Sequence, residues 1–102
     1  MKIWIVSGTT GEYSSRSEWV VCAYTAEADA AAHVAKASQY AEAWHAFTQT
    51  PEFERMDWHS GRKLMRSSNP MDPSFSCDYT GTTYEIQEVE LRDHFEDVET
   101  VQ

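Results

Sequence analysis

The chain has 102 residues, with 17 acidic against 8 basic side chains and a formal charge of −9. That length fits one small domain, and 4 Trp, 5 Tyr and 4 Phe are too many aromatics for a disordered chain. The charge disfavours direct binding to nucleic acid or to anionic membranes, and no apolar run approaches the ~18 residues of a transmembrane helix.

In chain order, residues 2–6 (Lys-Ile-Trp-Ile-Val) are β-branched and aromatic and apolar on both faces, which predicts a covered strand. The apolar stretch is too short for a secretory signal. Residues 7–18 contain Gly8 and Gly11 and read as a loop. Ser7-Gly8-Thr9-Thr10-Gly11 lacks the Lys-Ser/Thr end of a P-loop, so a phosphate cradle is not expected. Residues 19–24 predict a second strand, joined to the first as an antiparallel hairpin with a long connection.

Thr25 reads as the N-cap of an alanine-rich helix over 26–47, with Glu27 and Asp29 in its first turn. Ala30, Val34, Ala37, Ala41 and Trp44 fall at helical spacing, and Pro51 ends the helix near 48–50. Residues 49–81 then form a long irregular segment. Within it, 52–58 could make a helical turn that Gly61 breaks, with another turn at 62–66. Phe53, Met56, Trp58, Met65 and Phe75 are expected to fold the segment over a sheet face as a lid.

Residues 82–91 predict a third strand. Tyr84 and Ile86 alternate out of phase with Val89 and Leu91, which suggests a bulge near Gln87 and Glu88. The polar tail from Asp93 spaces Phe95, Val98 and Val101 at three, as a short amphipathic helix or a frayed end would. The expected fold is therefore one α+β domain over 1–102, in ββαβ order. It has a three-stranded sheet of order 2-1-3 and one long helix on one face. The other face must be covered by the 49–80 segment, a second copy or a partner.

The chemistry-bearing residues are scattered. Cys22 lies in an apolar run and Cys77 in a polar loop, with no CxxC pair, so both read as reduced cytoplasmic thiols. His33, His45, His59 and His94 lack ligand spacing, and no metal or cofactor is expected. Asp78 beside Cys77 would raise a thiol pKa rather than lower it. An enzyme built on Asp57, His59 and Cys77 is the weakest alternative, and the expectation is a protein that is not an enzyme.

Charge is uneven. Residues 85–102 hold Glu85, Glu88, Glu90, Asp93, Glu96, Asp97 and Glu99 against Arg92 alone. Residues 55–66 hold Arg55, Arg62, Lys63 and Arg66 against Asp57. Trp58 and Arg62 stand among these cations, and aromatics with Arg are the types enriched at binding hot spots.

The residues Asn69-Pro70-Met71-Asp72-Pro73, then Asp78-Tyr79-Thr80-Gly81-Thr82-Thr83-Tyr84, then Glu88-Val89-Glu90-Leu91 resemble a recurrent ending of small uncharacterised phage and prophage proteins. The opening hairpin and the Ala-rich helix with His33 are similar to that group as well. The resemblance implies a bacterial host cytoplasm and carries over no catalytic residue. Small acidic phage accessory proteins often inhibit host defence, anti-CRISPR proteins among them. The resulting expectation is a non-enzymatic inhibitor of a host defence or nucleic-acid-handling complex, a CRISPR effector for instance. It would act through an acidic, nucleic-acid-like surface of Glu85, Glu88, Glu90, Asp93, Glu96 and Asp97, with Trp58 and Arg62 as further contacts. A homodimeric structural or regulatory phage module is the alternative.

Overall fold

The computed structural model describes residues 1–95. Three strands, β1 (Lys2–Thr10), β2 (Ser17–Tyr24) and β3 (Thr82–Glu90), form an antiparallel sheet of order β2-β1-β3. A long helix, α1 (Glu27–Phe47), packs on one face, and two shorter helices follow, α2 (Pro51–Glu54) and α3 (Trp58–Ser67). The expected α+β class, strand order and single long helix are all present.

The first strand runs through the region expected to be loop. Gly8 makes this possible: a Cβ there would lie 2.8 Å from the Trp19 indole, so only glycine lets that ring close over β1. Thr10, almost fully buried, donates its hydroxyl to Gly81 O (2.7 Å) and accepts from Asp78 N–H (2.7 Å). The true connection is residues 11–16, a 3-10 turn opened by Gly11 at φ +87°, where a Cβ would lie 2.4 Å from the Ser15 carbonyl oxygen.

The bulge lies in β2, not in β3. Val6 pairs with Cys22 and Ser7 with Val20, so Val21 is the extra residue. Trp19 and Cys22 are three apart yet both face α1, which an unbulged strand cannot achieve. The β1–β3 register is unbroken from Lys2–Glu90 to Thr10–Thr82. Val89 is out of phase with Tyr84 simply because it faces the other side, opposite Ile3.

α1 buries Ala30, Ala37, Ala41 and Trp44, the expected stripe, with Val34 half-buried. Its N-cap is Ala26, one residue beyond Thr25, and no side chain caps it. Gly61 does not break a helix. It is buried inside α3, and a Cβ added there would meet Phe53 at an ordinary contact distance of 3.5 Å. Asp57 caps α3 by accepting from Ser60 N–H (2.7 Å), as Thr50 caps α2 through Phe53 N–H.

The 49–80 segment does not roof the opposite sheet face. Its turns pack beside α1: Asn69 donates to Ala37 O (3.1 Å), Met71 O bonds His33 and Asp72 bonds Trp19. Phe53, Met65 and Phe75 join Trp44, Ala41 and Phe47 in one core cluster. The other face of the sheet carries Ile3, Ile5, Val20, Ala23 and Val89 and stays open among the described residues, with Val20 66% exposed. No helix among the described residues is long and apolar enough to cross a membrane.

Candidate functional site

Two polar clusters tie the irregular turns to the sheet. The first centres on Asp72, which is fully buried. One carboxylate oxygen accepts from Trp19 Nε1–H (2.9 Å) and Tyr84 O–H (2.7 Å), and the other accepts from Ser74 N–H (3.1 Å). Asn69 completes the set, donating to Tyr84 Oη (3.1 Å) and accepting from Met71 N–H (3.1 Å). Burial first, then the bond and the negative charge of Asp72, push the Tyr84 phenol well above its ordinary range.

The second cluster is His33. The Met71 carbonyl can only accept, so Nε2 of the neutral ring carries the proton (2.7 Å), leaving Nδ1 to accept from Tyr24 O–H (2.7 Å). Cys22 Sγ lies 3.7 Å from the same Nδ1, but burial raises its pKa, and the thiol is not activated. Burial likewise raises Cys77, with the charge of Asp78 adding to it. His45 binds the Tyr79 carbonyl (2.9 Å). Each group holds its neighbours in place. No three His, Cys, Asp or Glu among the described residues converge as metal ligands, and of the sequence candidates Asp57, His59 and Cys77, Asp57 accepts from Ser60 as the cap of α3 while Cys77 lines the groove described next.

The concave surface lies elsewhere. A groove of about 520 Å³ runs between the end of α1, α2 and α3. Its floor is Trp44, Phe53, Met56, Gly61, Met65 and Cys77. Phe53 stands edge-on to Trp44 (5.7 Å, 89°) and to Phe47 (5.7 Å, 77°), a geometry that fixes the floor. Trp58 and Arg62 form one rim. Arg62 stacks its guanidinium 5.2 Å from the Trp58 ring centroid, and Trp58 remains 74% exposed. Glu54 and Asp57 flank the same opening.

Outside that rim, His59, Arg62, Lys63 and Arg66 line a second hollow on the outer face of α3. Their spacing of three and four residues places them on one helical face. Salt bridges among the described residues involve Met1, Lys2, Arg16 and His94, and none of these α3 cations.

The expected acidic surface is divided. Glu88 and Glu90 face the α1 side and pair with Lys2 Nζ (3.4 Å) and the N-terminal ammonium (3.2 Å). Glu85 points to the open side, one register position out of phase. Asp93 is beyond the strand and contacts His94 (2.8 Å). Glu96 and Asp97 lie outside the described residues. The structure thus brings Trp58 and Arg62 together and sets Glu85 on the opposite sheet face from Glu88 and Glu90. Sequence reading missed the aromatic floor, because its parts come from separate elements that only the tertiary fold brings together.

No protein-family model, curated protein or solved structure matches this chain.

Proposed function

We propose that this is a non-enzymatic interaction protein that holds a partner protein at the Trp58–Arg62 groove. The observation that carries the reading is an exposed Trp with a stacked Arg at the mouth of an aromatic-floored groove. Such groups gain most from burial against a partner. The cations on α3, which form no salt bridge among the described residues, favour a partner segment that sets carboxylates around an apolar anchor. The commitment of His33, Asp72 and both thiols to internal contacts fits a binding role better than a catalytic one.

The resemblance to phage and prophage proteins supplies the setting. The partner proposed is a component of a host defence or nucleic-acid-handling complex, which binding would block. The test is a plating assay in a bacterial host whose CRISPR effector targets an infecting phage. The wild-type chain should raise plating, Trp58→Ala with Arg62→Glu should abolish the effect, and reversal of Glu88, Glu90 and Asp93 should leave it. No protection by the wild-type chain contradicts the defence reading. Loss only with the acidic reversals would return the contact to the acidic strand.

A further inference from the structure

We infer that, with no partner bound, the α3 groove of one copy takes the acidic segment around Phe95 of a second copy. This rests on reading the groove as a binding site. Phe95 is 87% exposed and Leu91, four residues earlier, is 49% exposed. The neighbours of Phe95 in the sequence include Asp93, Glu96, Asp97 and Glu99, with no Lys or Arg after Arg92. This segment has the chemistry that the groove and its basic flank lack: an apolar anchor among carboxylates. Arg62, Lys63 and Arg66 would meet the acids while the Trp44–Phe53–Met65 floor takes the ring.

Phe95, the anchor of the segment, falls short of the groove within its own chain. The groove includes Cys77, next to Asp78, which bonds Thr10. It therefore sits at the Thr10–Thr82 end of the sheet, whereas β3 ends at Glu90 opposite Lys2. Eight strand steps separate Thr82 from Glu90, roughly 26 Å. Phe95 is five residues past Glu90 and reaches at most about 18 Å back when fully extended. The contact is therefore between copies, head to tail, and it competes with a partner for one site.

Sedimentation velocity of the purified full chain tests this, from micromolar to submillimolar concentration. The wild type should associate, and added salt should weaken the association. Arg62→Glu and Phe95→Ala should each sediment as monomer. Mixed together they should form a one-to-one dimer, because one chain keeps the segment and the other keeps the groove. That complementation excludes misfolding as the cause. A wild type monomeric throughout, or a mixture of folded variants that stays monomeric, overturns the inference. So does association that survives both substitutions and is lost with Val20→Glu, which would assign it to the open sheet face. Either failure leaves the plating assay to decide the host-partner reading separately.

Discussion

Asp72 is the residue on which the irregular segment depends. Three donors from Trp19, Tyr84 and Ser74 converge on its buried carboxylate. Asp72→Ala would strand the indole N–H and the phenol in an apolar site, at a cost of about 3 kcal/mol or more, read as a lower midpoint in urea unfolding. Tyr84 adds a pH dependence. Its folded pKa is raised, so the proton is held more tightly folded than unfolded. Its contribution is therefore complete below the ordinary value of 10.0 and is lost as pH rises past it toward the folded value. Stability should fall steeply above that point, and Tyr84→Phe should flatten the fall. Asp57 has the opposite sign. Bonds from the Ser60 N–H and hydroxyl depress its pKa, so its capping contribution is present at neutral pH and is lost as pH falls through the carboxylate range. Helicity should fray in acid, less so in Asp57→Asn. The Trp19 partner of Asp72 was not legible in the sequence, because the two meet across 53 residues. The Asn69–Pro73 run stood out only as irregular.

At the scale of elements, the strands and α1 were readable from periodicity, and the failures have one physical root. Glycine reads as a breaker at residues 8 and 61, whereas Gly8 lies within β1, where its missing Cβ admits the Trp19 ring, and Gly61 lies buried within α3 beside Phe53. Gly61 has room for a methyl group at ordinary contact distance from Phe53. Gly61→Ala should therefore stabilise α3 by about 0.5–1 kcal/mol, raising the melting temperature. Gly8→Ala has no such room and should destabilise by about 1–3 kcal/mol. The bulge shows the same lesson for phase. A break in alternation marks either an extra residue or a change of face, and only pairing distinguishes Val21 from Val89.

At the scale of the molecule, the net charge of −9 conceals a division of labour. The strand acids are split by the pleat and partly neutralised by Lys2 and the N-terminus. The cations of α3 gather on one face beside an aromatic groove. The apolar sheet face is the other surface able to bind a protein. The most direct measurement places a photo-crosslinking amino acid singly at positions 58, 20 and 88 of the full chain in bacterial cells. Position 58 should give a discrete covalent adduct with another polypeptide, while positions 20 and 88 give little or none. Adducts from position 20 or 88 with none from position 58 would contradict the groove as the binding site.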